Sequence, residues 1–201
     1  VNLEIIYLGT DGGGVFKSID SGENWIQKNN GLKNRYVYWI EIDPKNSNII
    51  YAGTFGGGIF KSIDSGENWE EINNGLTELK VWCLLINPVN TNIIYAGTWG
   101  GGIFKSIDSG ENWKEVNIGL TKLNVLSLLI DKFNSDTIYA GIWEGGVYKS
   151  TDGGENWKET NNGLGSKYIF SLKMNPNNSK IIYAGGLDGV FKSTDRDRKS
   201  V

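Results

Sequence analysis

Ser62-Ile63-Asp64-Ser65-Gly66-Glu67-Asn68-Trp69 decides the fold, because the same pattern recurs along nearly the whole chain. It returns almost unchanged at residues 18–25, 106–113 and 150–157, so that successive copies are always 44 residues apart. A fixed period of roughly 20–50 residues indicates a solenoid, a propeller or another array of stacked units. Asp and Gly between apolar runs predict a turn, since Gly accepts positive φ and Asp bonds nearby backbone. We therefore interpret the stretch as a hairpin turn that occurs once per unit.

The pattern Ser-x-Asp-x-Gly-x-x-Trp resembles the Asp-box, or BNR repeat, of β-propellers. Sialidases, sortilin-type receptors, xyloglucan-degrading enzymes and a photosystem assembly factor contain it. The resemblance covers almost all of the chain and favours an extracellular or periplasmic location. It implies that each box joins the third and fourth strands of a blade, with its Asp bonded to turn backbone and its Trp packed between blades. The residues to which the resemblance assigns these structural roles are Ser18, Asp20, Gly22, Trp25, Ser62, Asp64, Gly66, Trp69, Ser106, Asp108, Gly110, Trp113, Ser150, Asp152, Gly154 and Trp157.

Each 44-residue unit predicts four short strands, A to D, separated by Gly- and Asn-rich turns. In the second unit they cover residues 37–43, 49–54, 58–63 and 68–73. The first unit lacks strand A and the last lacks strand D, because the final box loses its Gly and Trp. We therefore expect an all-β fold, a β-propeller or propeller fragment of four-stranded antiparallel blades with about five blade-equivalents. Residues 1–201 would form one repeat domain, with partial blades at 1–32 and 165–201 and full blades at 33–76, 77–120 and 121–164.

The incomplete first and last units leave three alternatives open. The chain closes on itself, it completes its blades by forming a homo-oligomer, or it is a fragment of a larger ring. An unpaired sheet edge favours association with another chain. We therefore expect the missing strands to come from another molecule or to be absent because the piece is truncated.

Composition excludes several kinds of function. The net charge of −3 provides no field that would attract nucleic acid. The chain has no His, which removes Ser-His-Asp hydrolysis and His-based metal sites, and no cofactor or metal is expected. The single cysteine, Cys83, lies in an apolar run and is predicted to be buried and inert. No run reaches the ~18 apolar residues of a membrane span.

The ligand site is expected on the face formed by the B–C and D–A loops, opposite the boxes, where the resemblance places ligands. Three equivalent B–C positions carry a large aromatic residue amid glycines, and such rings can stack on sugars or anchor a protein partner. The alternative interpretation is that each ring packs over the outer end of its own blade. The candidate ligand-binding residues are Phe55, Trp99, Trp143, Asp11, Arg35, Tyr36 and Lys80.

Three functions remain compatible with the sequence. The first is a non-catalytic binding or scaffolding propeller for a carbohydrate or a protein. The second is a glycoside hydrolase-type propeller, for which a pair of carboxyl groups must face the sugar. The third is a purely structural, self-assembling repeat protein, which the near-identity of the second and third units favours. No catalytic residue is assigned, and the loop-face acids available to a hydrolase are Asp11, Glu78, Glu144 and Asp188.

Overall fold

The computed structural model describes residues 4–194, which form eighteen strands in five antiparallel sheets and no helix. The first sheet comprises β1 (Ile6–Thr10), β2 (Gly14–Ser18) and β3 (Ile26–Gln27). The second comprises β4 (Val37–Ile42), β5 (Ile50–Thr54), β6 (Gly58–Ser62) and β7 (Glu70–Glu71). The third comprises β8 (Val81–Ile86), β9 (Ile94–Thr98), β10 (Gly102–Ser106) and β11 (Lys114–Glu115).

The fourth and fifth sheets continue the same order. The fourth comprises β12 (Val125–Asp131), β13 (Asn134–Ile142), β14 (Gly146–Ser150) and β15 (Lys158–Glu159). The fifth comprises β16 (Ile169–Asn175), β17 (Asn178–Gly186) and β18 (Gly189–Ser193). From Asp195 onward, the decayed final box and its two arginines lie outside the described residues, as do residues 1–3.

Every sheet is a simple meander, in which each strand pairs with the strand that follows it in sequence. This architecture confirms the predicted all-β propeller fragment with blades of three or four strands. The outermost strands are shorter than predicted: residues 68–73 yield only the two-residue strand β7, and β3, β11 and β15 are equally short. The second strand of the fourth sheet is longer than β5 of the second sheet, because β12 and β13 are joined by a tight turn at residues 132–133.

The hydrophobic core lies between successive sheets. The innermost strands β4, β8, β12 and β16 lie next to one another, and each sheet packs face to face on the next. Between the first two sheets, Val15 and Leu32 of one pack against residues of the other: Val37, Ile50, Ala52, Phe60 and Trp69. Small residues in the second strand allow this close approach. A Cβ at Gly97, for example, would lie 2.7 Å from Val125 of the next sheet.

No helix long and apolar enough to cross a lipid bilayer occurs between residues 4 and 194.

Candidate functional site

Each box turn is held by hydrogen bonds among its own residues. In the second box, the Ser62 hydroxyl donates to Asp64 Oδ1 at 2.8 Å and accepts from the Gly66 N–H at 2.9 Å. Asp64 Oδ1 accepts from the Asn68 N–H at 2.9 Å, and Oδ2 accepts from the Asn68 side-chain amide at 2.6 Å. These bonds, above all those from Asn68, lower the pKa of Asp64 to about 2, because they stabilise the ionised carboxylate. The other three boxes form the same set of bonds.

The tryptophan of each later box ties its blade to the preceding one. The Trp69 indole N–H donates to the Lys28 carbonyl at 2.9 Å, and the Trp69 backbone N–H donates to the Asn30 carbonyl at 2.9 Å. Equivalent bonds join Trp113 and Trp157 to the blades before them. These three tryptophans are 5% exposed, whereas Trp25 of the first box is 39% exposed. The tryptophans of three of the four boxes are therefore covered by the preceding blade, and that of the first box is not.

In each of the first three blades, a tyrosine and a lysine also reach the next box. Tyr7 OH donates to the Ser65 carbonyl at 2.9 Å, and Lys17 Nζ donates to the same oxygen at 3.1 Å. Lys17 Nζ also lies 5.6 Å from the centre of the Tyr7 ring. In the second blade Tyr51 has the same role toward Ser109, and burial is the main reason that its pKa rises to about 12. The boxes are thus connectors between blades.

The B–C and D–A loops meet at the opposite end of the blades. The N–H groups of Gly56 and Gly58 both donate to the Leu79 carbonyl of the next blade, each at 2.9 Å. Isolated bridges join Phe55 to Lys80 and Trp99 to Asn124 in the same way. Positive φ at the glycines, 98° at Gly56, lets the B–C turn approach its neighbour this closely. The loop face is therefore a continuous surface that crosses from blade to blade.

Seven aromatic rings form one connected belt on this face. Phe55, Trp99 and Trp143 are joined by ring contacts through residues at the starts of the innermost strands. The centroid separations are 5.3 Å for Tyr38–Phe55, 5.1 Å for Tyr38–Trp82, 5.7 Å for Trp82–Trp99, 5.8 Å for Trp99–Trp143, 4.8 Å for Trp143–Tyr168 and 5.8 Å for Trp143–Phe170. We call Tyr38, Phe55, Trp82, Trp99, Trp143, Tyr168 and Phe170 the aromatic belt.

The belt rings contact rings of neighbouring blades. Trp99 of the third blade lies against Trp143 of the fourth, and Trp143 lies against Tyr168 and Phe170 of the fifth. Each of these rings therefore contacts a ring of a neighbouring blade. Sequence reasoning missed Tyr38, Trp82 and Phe170 as site residues because they lie inside apolar strand sequences. The 44-residue period contains the signal, since all three occupy the same position of the unit.

The remaining candidate ligand-binding residues lie at two places on this face. Lys80 Nζ lies 5.9 Å from the centre of the Phe55 ring, beside the belt. Asp11 forms an isolated bridge with Tyr36, and the Arg35 carbonyl accepts from Gly12 and Gly14. Tyr36 is 51% exposed. Asp11, Arg35 and Tyr36 lie where the first and second blades meet, one unit before the equivalent pair Phe55 and Lys80.

The loop-face acids are distributed over four blades. Glu78 Oε1 accepts from the Lys80 backbone N–H at 3.0 Å, and Glu144 Oε2 lies 3.5 Å from Lys122 Nζ. Asp11 and Asp188 lie on the first and fifth blades. Glu144 has φ of 60°, a left-handed conformation that is uncommon for a residue other than glycine.

Sequence reasoning also missed an acid in the centre of the fold. Glu41 lines a cavity of about 200 Å³ between the innermost strands, together with Trp39 and Lys173. The Trp39 indole N–H donates to Glu41 Oε2 at 2.9 Å, while burial raises the pKa of the carboxyl. Glu41 does not stand out in the sequence, because it lies in a run of apolar strand residues. Cys83 is fully buried, and burial raises the pKa of its thiol. Residues 4–194 contain no group of three metal-ligating side chains.

Comparison with solved structures shows the fold to which this arrangement belongs. An ancestral GH74 enzyme superposes with a TM-score of 0.77 at 27% identity, over 90% of this chain and 25% of that chain. The extracellular domain of a putative one-component system from B. thetaiotaomicron gives 0.76 at 22% identity, over 96% of this chain and 26% of that one. YCF48 bound to D1 peptide gives 0.69 at 18% identity, over 95% and 61%. The chain thus spans about a quarter of the first two proteins.

No model of a known protein family matches the chain, and no curated protein sequence matches it. The similarity to these solved structures establishes a β-propeller fold.

Proposed function

We propose that the chain is an Asp-box repeat propeller whose aromatic belt binds a ligand without catalysing a reaction on it. The observation that carries the proposal is the belt itself, a continuous row of rings on loops that cross four blades. Rigid aromatic side chains supply large contact areas at low conformational cost, and they dominate binding sites for that reason. Among structural relatives, one is a xyloglucanase and another is bound to a peptide, so carbohydrate and protein are the ligand classes to test.

A binding screen with one loop-face variant and one control tests this proposal. The chain is applied to arrays of polysaccharides and peptides, together with Trp99→Ala and Ile107→Ala. Ile107 is 70% exposed at the box end and serves as the matched control. We expect Trp99→Ala to weaken any detected binding by about tenfold or more and Ile107→Ala to leave it unchanged. Binding that survives Trp99→Ala and Trp143→Ala undiminished would show that the belt is not the site.

The hydrolase alternative makes a different demand on the same face. It requires two carboxyl groups at a common sugar, whereas Glu78 and Glu144 are each engaged by a lysine residue of the loops and lie on different blades. Amide variants at all four loop-face acids provide the test. A glycan-cleaving activity that disappears in those variants would favour the hydrolase, and one that persists would remove it.

We also propose that residues 1–201 act as one repeat domain that self-associates through its incomplete terminal blades. One observation favours this second role. Ile6 and Leu8 on the outer face of the first sheet are 39% and 46% exposed, whereas their counterparts Ile50 and Ala52 are fully buried against the preceding sheet. Light scattering behind size exclusion gives the mass in solution. A mass that stays at that of one chain at all concentrations would contradict self-association.

A further inference from the structure

A row of cations runs beside the aromatic belt. Each D–A loop from the second to the fifth sheet places one positively charged residue within three positions of its innermost strand. All four are exposed, and the Lys80 ammonium lies over the Phe55 ring of the belt. Arg35 and Lys167 each precede a tyrosine in the loop. The four residues of this basic row are Arg35, Lys80, Lys122 and Lys167.

Most of this charge is unpaired within the described part of the chain. Lys122 has a carboxylate partner in Glu144 at 3.5 Å. Among residues 4–194, no ion pair involves the side chain of Arg35, Lys80 or Lys167. Cations beside an apolar surface attract a partner that carries carboxylates, and they accelerate its encounter with that surface. The unpaired cations Arg35, Lys80 and Lys167 therefore favour a ligand that carries negative charge.

The loop polar groups fit a polypeptide better than a sugar polymer. Sugar hydroxyls are bound by free amide and carboxylate side chains, but beside the belt Asn34 and Glu78 bond the loop backbone. The Asn34 amide donates to the Phe55 carbonyl at 3.3 Å, while its oxygen accepts from the Tyr36 N–H at 2.9 Å. Glu78 accepts from the Lys80 N–H at 3.0 Å. Asp11 and Asp188 lie on the first and fifth blades, so the surface between them that is open to a ligand is mainly apolar and positively charged.

The ring geometry points the same way. Neighbouring belt rings are tilted or edge-on, with interplanar angles of 31° for Tyr38–Phe55, 79° for Tyr38–Trp82, 37° for Trp82–Trp99 and 56° for Trp99–Trp143. A sugar chain stacks on flat, open ring faces, whereas neighbouring belt rings are inclined to one another and form no single flat platform. Tilted rings instead leave edges and clefts, into which aromatic or branched side chains fit.

We propose that the aromatic belt binds an extended polypeptide segment that carries carboxylates together with aromatic or large apolar side chains. This inference rests on the proposed binding function and adds the class of ligand to it. The segment lies across the blades, with its apolar side chains between the rings and its carboxylates toward the basic row. At ~3.3 Å per residue, a stretch of several residues is long enough to pass Trp82, Trp99 and Trp143 in turn.

Three defined polymers test the ligand class. A random Glu-Tyr copolymer supplies carboxylates and rings on a polypeptide, polygalacturonate supplies carboxylates on a sugar chain, and xyloglucan is a neutral sugar chain. Binding of each to the intact chain and to Trp99→Ala, Lys80→Glu and Ile107→Ala is measured by biolayer interferometry at low and high salt. Thermal unfolding verifies that each variant is folded. Lys80 is exposed, so its replacement keeps the test valid even if Trp99→Ala unfolds.

We expect the copolymer to bind more tightly than either polysaccharide, and more weakly at high salt. Trp99→Ala should reduce its affinity about tenfold, Lys80→Glu severalfold, and Ile107→Ala not at all. Absence of copolymer binding, or equal affinity for polygalacturonate, overturns the inference. Xyloglucan binding that Trp99→Ala abolishes, without copolymer binding, overturns the ligand class and leaves the proposed function standing. Copolymer or polysaccharide binding that Trp99→Ala does not change overturns the proposed function as well.

Discussion

The two ends of the blades differ in how much their sequences vary. At the box end, all four turns keep the same Ser, Asp, Gly, Glu, Asn and Trp, and the bond from Ser to Asp measures 2.7–2.8 Å in every copy. At the loop end, the equivalent residues of the first four B–C loops are Asp11, Phe55, Trp99 and Trp143. The constant end holds neighbouring blades together, whereas the variable end faces solvent. We infer that the boxes stabilise the fold and that the loops bind the ligand.

The largest expected effect on stability is at a box tryptophan that is covered by the preceding blade. Trp113→Ala removes a side chain that is 5% exposed and whose indole N–H donates to the Ile72 carbonyl at 2.8 Å. We expect the free energy of unfolding to fall by about 3–5 kcal/mol, since truncation leaves a cavity and an unpaired carbonyl. Urea denaturation measures the change.

Trp25→Ala is the matched control for that prediction. Trp25 occupies the same box position but is 39% exposed. Its replacement should cost about 1–2 kcal/mol, clearly less than at Trp113, because less buried surface is lost. Equal losses at Trp25 and Trp113 would contradict the conclusion that the tryptophans act through contact with the preceding blade.

A smaller loss of stability is expected at Gly119, whose backbone lies against the backbone of Trp157 in the next box. Gly119 has φ of 94°, and a Cβ there would lie 2.0 Å from the Trp157 carbonyl oxygen. Gly12 on the loop face has nearly the same φ, 95°, but its Cβ would meet only the Tyr36 ring at 3.7 Å. Gly119→Ala should therefore destabilise more than Gly12→Ala, by about 1–3 kcal/mol, since both share the backbone strain and only one adds a collision. Similar unfolding midpoints for the two variants would refute the close contact.

A gain in stability is expected when glycine replaces Ser21, a residue whose backbone has a left-handed conformation. Ser21 of the first box has φ of 61°, and the fourth box has Gly153 at the equivalent position. Ser21→Gly should raise the free energy of unfolding by about 1 kcal/mol or less, because relief of strain is partly offset by greater freedom of the unfolded chain. Glu144→Gly on the loop face, where φ is 60°, should give a similar gain but also release Lys122 and alter ligand binding. A binding change in Ser21→Gly instead would contradict the division between the two ends.

The fold was predictable from the sequence because its signal is periodic. Repetition at 44 residues, together with short apolar runs between turns, predicted five blades and all eighteen strands. The length of the outermost strands was not predictable. After β7 the chain leaves the sheet, because the carbonyls of Ile72 and Asn74 accept from Trp113 of the next box. That partner belongs to another unit, so local sequence preference does not reveal it.

The candidate site was predictable only in part. Phe55, Trp99 and Trp143 stand out because glycines surround them in the loops. Trp82, in contrast, lies in β8, where an aromatic residue is the normal content of a buried strand. Whether such a ring faces the core or the loop face depends on the bulge between Val81 and Cys83, which shifts the register of this strand. Contact between rings of different blades is a property of the assembled fold.

The smallest expected effect concerns the box aspartates, because their carboxylates are exposed and solvent weakens their interactions. Asn68 is the main cause that lowers the pKa of Asp64 to about 2, and Asn24 and Asn156 do the same for Asp20 and Asp152. Since the pKa in the unfolded chain is ~3.9, their contribution to stability is present above about pH 4 and is lost as the pH falls toward 2. Asp64→Asn, which cannot ionise, should therefore show a shallower loss of stability between these pH values than the unmodified chain. Identical pH profiles in urea denaturation would mean that the bonds from Asn68 do not depend on the charge of the carboxylate, and that the box turn is held by its geometry alone.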